Sequence, residues 1–184
     1  LDFGIFWNFW NFENMRVVAG MARGTRLSAP KGVEIRPTSD RVKEAVFNSL
    51  HSRSAIEEAE VLDLFAGSGA LGIEALSRGA KKAIFVDKSF ESLELVKKNL
   101  KKTGFEKNSE IVKGDSLDWL QKSSKSADLV LLDPPYGFEN WAELLDTLLQ
   151  KRPGIAVIES NREIDPGPKW HVDSIRQYGS SVVV

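Results

Sequence analysis

From residue 60 onward the chain alternates short, wholly apolar runs with longer segments whose apolar positions recur every three or four residues. The runs at 61–65, 83–86, 111–112, 129–132 and 155–158 predict strands, the first interrupted only by Asp63. Because they do not alternate with polar residues, they predict strands buried on both faces of a sheet. Residues 70–78 predict a helix stopped by Gly79. Residues 89–103 predict a second, with Ser89 as its cap, Gly104 as its stop, and Leu93, Val96 and Leu100 on the buried face. Residues 141–149 predict a third. Strands alternating with helices in this way form a parallel sheet covered on both sides, an α/β fold.

The front of the chain has a different rhythm. Extended segments at 16–20 and 25–28 flank Met21-Ala22-Arg23-Gly24 and predict a β-hairpin. A loop bearing Pro30, Gly32 and Pro37 follows. Thr38 or Ser39 then caps a helix whose apolar face is Val42, Ala45, Val46 and Leu50. At the other end, 170–175 and 181–184 predict two closing strands. The division expected is an extension at 1–14, a hairpin and loop at 15–37, and the main domain at 38–184. The extension holds six aromatic residues and lacks the basic start and cleavage site of a signal peptide. Met15 is the expected initiator, with 1–14 not native.

Composition narrows the function classes. The 184 residues are 42% hydrophobic and 28% charged, enough for one domain with a real core. The absence of cysteine excludes disulfides, thiolate zinc sites and cysteine nucleophiles. No metal-ligand spacing is present. No apolar run approaches the roughly 18 residues of a membrane span, so a cytoplasmic protein without membrane association is expected. Net charge is −1, yet residues 15–50 hold seven Lys/Arg against three Asp/Glu. A basic front on a mildly acidic body fits a segment that binds a polyanion. Lys97, Lys98, Lys101 and Lys102 read as a solvated face near a helix C-terminus. His51 and His171 have no evident role, and Trp119, Trp141 and Trp170 read as packing residues.

Two loops carry candidate chemistry. The first, Ala66-Gly67-Ser68-Gly69-Ala70-Leu71-Gly72, has the G-x-G-x-x-G spacing between a strand and a helix. Asp87 ends the next strand, where its carboxylate can accept both ribose hydroxyls of an adenosine. The spacing alone does not separate NAD from S-adenosylmethionine. Asp63 just before the loop and Asp133 at the end of the fourth strand would repel a pyrophosphate and attract an ammonium group, which favours S-adenosylmethionine. Asp115 is placed either to accept from the adenine amino group or to cap a helix, and both roles can coexist. The second loop is Asp133-Pro134-Pro135-Tyr136. In a sheet of order 3-2-1-4-5, strands 1 and 4 meet at the topological switch point, so both loops open into one crevice. The Asp133 carboxylate and the Pro134 carbonyl can each accept one N–H of an exocyclic amine, and Tyr136 can stack on a flat substrate. Such a site methylates an amine by in-line displacement, through positioning more than through a strong base.

The front motifs sharpen this picture. Arg16-Val17-Val18-Ala19-Gly20, Arg23-Gly24-x-Arg26-Leu27, Arg36-Pro37-Thr38-x-Asp40-Arg41 and Phe47-Asn48 resemble the RsmD-type bacterial 16S ribosomal RNA guanine-N2 methyltransferases. The run from Asp63 to Gly72 and the run from Glu74 to Ala80 are similar to that family as well, and the likeness extends from Met15 to about Gly179. The resemblance implies a Rossmann-like, seven-stranded sheet with an antiparallel final strand and an N-terminal β-hairpin. It implies S-adenosylmethionine held by Asp63, Phe65, Ala66, Gly67, Ser68, Gly69, Asp87, Lys88, Asp115, Ser116 and Asp133. Catalysis would fall to Asp133, Pro134, Pro135 and Tyr136. Arg16, Arg23, Arg26, Arg36 and Arg41 would meet the phosphates of small-subunit ribosomal RNA, with or without ribosomal proteins, and the protein would act as a monomer. The hairpin is expected to be separable from cofactor binding. Other amines remain open on the motifs alone: adenine in DNA or RNA, or a protein glutamine. An NAD-dependent oxidoreductase is the alternative of a different class.

Overall fold

The computed structural model describes residues 15–29, 40–179 and 181–184. The aromatic segment 1–14, the cap expected at Thr38 or Ser39, and Arg36 lie outside the described residues. The elements run α1 (Asp40–Ser52), β1 (Glu60–Leu64), α2 (Ala70–Ser77), β2 (Lys82–Asp87), α3 (Phe90–Thr103), a 3-10 turn (Glu106–Asn108), β3 (Ser109–Lys113), α4 (Ser116–Lys122), β4 (Leu129–Leu132), α5 (Trp141–Lys151), β5 (Ile155–Ser160), β6 (Arg176–Tyr178) and β7 (Ser181–Val183).

They form one seven-stranded sheet of order β3-β2-β1-β4-β5-β7-β6. The first five strands pair in parallel and β7 runs antiparallel to β5 and β6. This is the Rossmann-like arrangement expected from the sequence. Parallel strands buried on both faces need apolar residues at successive positions, which is why β1 and β4 read as continuous runs. Val61, Phe85, Leu129 and Leu131 face a core shared with α1, α2 and α3, whereas Leu62, Leu64, Val86, Val130 and Leu132 face α4 and α5. Ser89 caps α3 by accepting from the Ser92 N–H at 3.2 Å, and Gly104 ends it in the left-handed conformation, as predicted.

Three expectations are corrected. Residues 170–175 form no strand; β6 begins only at Arg176. Residues 171–175 are exposed and pair with no neighbouring strand, so their alternation of apolar residues has no sheet to serve. Helix α4, only seven residues long, was foreseen only through its cap at Asp115, not in its extent. The extended segments at the front are also shorter than predicted: the ladder there is a single bridge between Arg16 and Arg26.

That front segment is built into the domain. Val17, Ala22 and Leu27 join the core over α1 to α3. Its backbone is held from below by helical side chains. The Glu74 carboxylate accepts from the N–H groups of Val18 at 2.8 Å and Ala19 at 3.0 Å. Ser77 Oγ accepts from the Ala22 N–H and donates to the Ala19 carbonyl. Lys43, buried, donates to the Arg16 carbonyl. Burial pushes its amine pKa down, while the nearby Glu74 and Asp40 carboxylates oppose that shift. Gly20 lies so close to α2 that a Cβ there would sit 1.8 Å from the Ser77 carbonyl oxygen. Among the described residues no helix is long and apolar enough to cross a membrane.

Candidate active site

The glycine loop begins where β1 ends. Phe65 turns the chain out of the strand with φ +68°, a left-handed conformation that is rare and costly for a bulky residue. Gly67 and Gly69 continue the turn with φ +56° and +78°. The Ala66 N–H donates to the Val86 carbonyl at 3.0 Å and the Gly69 N–H to the Ala66 carbonyl at 2.7 Å. Helix α2 then starts directly over β2. A Cβ on Gly72 would lie 2.4 Å from the Phe85 ring, so only glycine lets the helix approach this closely.

Asp63 is enclosed under the glycine loop. Its carboxylate lies beneath the loop, 2% exposed, and accepts from the Gly72 N–H at 2.9 Å. Burial raises its pKa to about 8, with the Gly72 hydrogen bond opposing and the Asp87 charge adding to the rise. A carboxyl group this buried and this reluctant to ionise shapes the first turn of α2.

Asp87 is placed as anticipated, at the rim of the loop. One carboxylate oxygen accepts from the Gly67 N–H at 2.8 Å and the other from the Ser89 N–H at 2.8 Å. Each oxygen keeps a further lone pair for a ligand hydroxyl. Asp115 caps α4: its Oδ1 accepts from the N–H groups of Leu117 and Asp118 at 3.0 and 3.2 Å. Capping is thus one of its two proposed roles, and its carboxylate is at the surface beside β3. Ser116 is buried as the first residue of α4, and Lys88 is exposed.

The second loop leaves β4 beside the first. Leu64 and Leu132 are register partners, so Phe65 and Asp133 leave adjacent parallel strands at the same edge. Pro134 is buried, Pro135 exposed, and Tyr136 60% exposed. The Phe138 N–H closes the turn onto the Pro135 carbonyl at 3.1 Å. The Phe138 ring then meets Phe65 edge-on at 5.2 Å between centroids, and Trp141 at 5.2 Å. Phe65 and Phe138 therefore join the two loops into one crevice wall. Sequence reasoning placed Phe65 near a cofactor and missed Phe138; an aromatic five residues after Asp133, just before a helix, was the available signal.

Of the proposed RNA contacts, Arg16, Arg23, Arg26 and Arg41 are all exposed on or beside the front segment. Arg16 is also tied by its Nε to Asp40 at 2.8 Å. Glu74, Ser77, Lys43 and Asn99, which dock this segment, were not singled out in the sequence. The signal for Glu74 was a carboxylate inside the apolar helix ALGIEALS.

Comparison with known proteins agrees with this geometry. A Haemophilus influenzae protein named Ribosomal RNA small subunit methyltransferase D is 43% identical over 139 residues, covering 73% of this chain and 70% of that protein. A Bacillus subtilis protein named "Putative rRNA methyltransferase YlbH" is 38% identical over 158 residues, covering 82% and 85%. The solved structure described as "Putative methyltransferase yhhF from Escherichia coli" superposes with a TM-score of 0.79 at 31% identity, covering 91% of this chain and 94% of that one. The RsmD-type resemblance of the chain is thus borne out in the relatives. The profile of the family described as Conserved hypothetical protein 95 matches residues 15–184, and the chain belongs to that family.

Proposed function

We propose that this protein transfers a methyl group from S-adenosylmethionine to the exocyclic N2 amine of a guanine in small-subunit ribosomal RNA. The observation that carries the reading is the joining of the glycine loop to the Asp133-Pro134-Pro135-Tyr136 turn through Phe65 and Phe138. A nucleotide-type loop and an amine-type loop share one crevice at the switch point of the sheet.

The residues suit the cofactor. Asp87 stands ready for ribose hydroxyls, the glycines admit close approach of a ligand to backbone, and Asp133 supplies a carboxylate toward an ammonium group. S-adenosylmethionine, when bound, supplies an activated methyl group on a sulfonium. The chain's own work is positional. Asp133 and the Pro134 carbonyl accept the two N–H groups of the amine and turn its lone pair out of the ring plane. Those hydrogen bonds strengthen as the nitrogen becomes tetrahedral and its hydrogens more acidic, so they raise turnover more than affinity. Tyr136 offers its exposed ring to the base, which must leave its stack to enter the crevice. The exposed arginines of the front segment meet the RNA phosphates. The relatives' names support ribosomal RNA of the small subunit as the substrate.

The test is methylation of small ribosomal subunits purified from cells lacking the gene, using labelled S-adenosylmethionine, followed by mass mapping of modified nucleotides. One guanine gaining a methyl group at N2 is expected. Label on adenine, or on a protein glutamine, would overturn the assignment of the substrate.

A further inference from the structure

The front segment and the glycine loop serve different parts of the proposed reaction, but one side chain connects them. Asn99 lies on α3, is 0% exposed, and uses its whole amide. Its Oδ1 accepts from the Ser28 N–H at 2.6 Å. Its Nδ2 donates to the Ser28 carbonyl at 2.9 Å and to the Ser68 carbonyl at 2.9 Å. Ser28 ends the front segment; Ser68 sits between the two glycines of the loop. The segment's other end reaches the same residue, since Ser68 Oγ donates to the Met15 sulfur at 3.2 Å. Met15 and the far side of the segment are themselves tied, because the Leu27 N–H donates to the Met15 carbonyl at 2.8 Å. The base of the proposed RNA-binding segment thus rests on the proposed cofactor loop from two sides.

The amide has no slack. Both Nδ2 hydrogens and Oδ1 are committed, and the reversed orientation would set its oxygen against two carbonyls. A shift of Ser28 must therefore either carry Ser68 with it or break a buried hydrogen bond, which is costly in a dry interior. We infer that Asn99 is a positioning residue that couples the two sites: RNA bound to the front segment tightens the cofactor loop, and cofactor in the loop tightens RNA binding. By linkage the two effects are equal in size. The inference rests on the proposed function, because it takes the segment as the RNA contact and Ser68 as part of the cofactor loop.

The test measures S-adenosylhomocysteine binding by the full chain, with and without small ribosomal subunits from cells lacking the gene. In the wild type the subunits should tighten binding about fivefold or more, the lower range of measured couplings. Asn99→Asp keeps the Oδ1 acceptor and the size but removes the donor to Ser68; Asn99→Ala removes both. Each should bring the ratio with and without subunits close to one. Lys102→Ala is the control. Its Nζ donates to the Arg26 carbonyl and to Ser28 Oγ, so the variant loosens the same segment on α3 without touching the loop. It should keep the wild-type ratio, whereas a merely structural Asn99 would make all three variants alike. Thermal unfolding of each variant separates loss of fold from loss of coupling. If Asn99→Asp, whose second oxygen faces two carbonyls, does not fold, the alanine variant decides. A wild-type ratio of one, or an Asn99→Ala ratio equal to the wild type, overturns the coupling and leaves the proposed function standing. A wild type that binds neither cofactor product nor subunits overturns both.

Discussion

The two loops at the edge of the sheet are neighbours of opposite construction. The glycine loop is finished by the protein itself. Asp63 and Asp87 accept its N–H groups from below and from the side, Asn99 holds the Ser68 carbonyl, and a Cβ at Gly72 would strike Phe85. The Asp133 turn is finished only on its inner side, where Pro134 is buried and Phe138 packs on Phe65, while Pro135 and Tyr136 stand in the open. The first loop is shaped before any ligand arrives. The second presents a flat ring and rigid backbone to solvent. Under the proposed function, cofactor recognition is a property of the fold and substrate recognition a property of the complex.

That contrast can be broken most severely at the front segment. Deleting 15–28 strips Val17, Ala22 and Leu27 from the core and leaves the fully buried Glu74 without its two backbone donors. Glu74 keeps its ion pair with Arg78 at 2.8 Å, so the main loss is apolar burial, about 1.5–3 kcal/mol for each large side chain removed from the core. The truncated chain should show no cooperative unfolding transition by circular dichroism. A cooperative transition with wild-type cofactor affinity would return the segment to the status of a separable appendage, which the sequence suggested.

A smaller effect is expected at Asp87. Asp87→Ala should weaken S-adenosylmethionine binding by roughly 1.5–3 kcal/mol, the worth of hydrogen bonds to a charged acceptor, and should also lower stability because Gly67 and Ser89 lose their acceptor. Calorimetric titration with an unchanged affinity would place the ribose elsewhere. On the open loop, Tyr136→Ala should weaken substrate binding by about 1–3 kcal/mol if the ring stacks on a base, with little change in fold because the side chain is exposed. Tyr136→Phe should bind nearly as well as wild type; equal losses in both variants would assign the role to the hydroxyl.

A pH dependence is expected as well, at the floor of the glycine loop. The folded pKa of Asp63 is raised to about 8, against about 4 for an unperturbed aspartate. The folded state therefore holds this proton more tightly than the unfolded state. The resulting stability is fully present below about pH 4 and is lost as pH rises through about 8. Asp63→Asn keeps an oxygen for the Gly72 N–H and removes the titration. Urea midpoints between pH 5 and pH 8 should fall less steeply for the variant. Parallel slopes would show that Asp63 is ionised throughout.

Much of this was legible in the sequence, for a physical reason. Strands buried on both faces are written as unbroken apolar runs, so β1, β2, β4 and β5 could be placed within a residue or two. The glycine spacing and Asp133-Pro134-Pro135-Tyr136 encode local backbone geometry, and they lie where expected. What was missed depends on contacts between distant residues. Glu74 meets Val18 across 56 positions and Asn99 meets Ser28 across 71, and no local pattern announces either pairing. The enclosure of Asp63 is likewise visible only in the packing of α2 over β2. The apolar residues at 170–175 imitate a strand, but strand identity needs a partner.

The proposed methyl transfer depends most on the clamp formed by Asp133 and the Pro134 carbonyl. Single-turnover methylation of small subunits at saturating S-adenosylmethionine, with cofactor affinity measured on the same preparation, tests it most directly. Asp133→Ala should lose at least about a hundredfold in rate, the scale of removing one preorganised electrostatic contact to a transition state, while remaining folded and still binding subunits. Asp133→Asn should retain part of that rate, because its amide oxygen still accepts one N–H. Methyl transfer by Asp133→Ala at the wild-type rate would contradict the account.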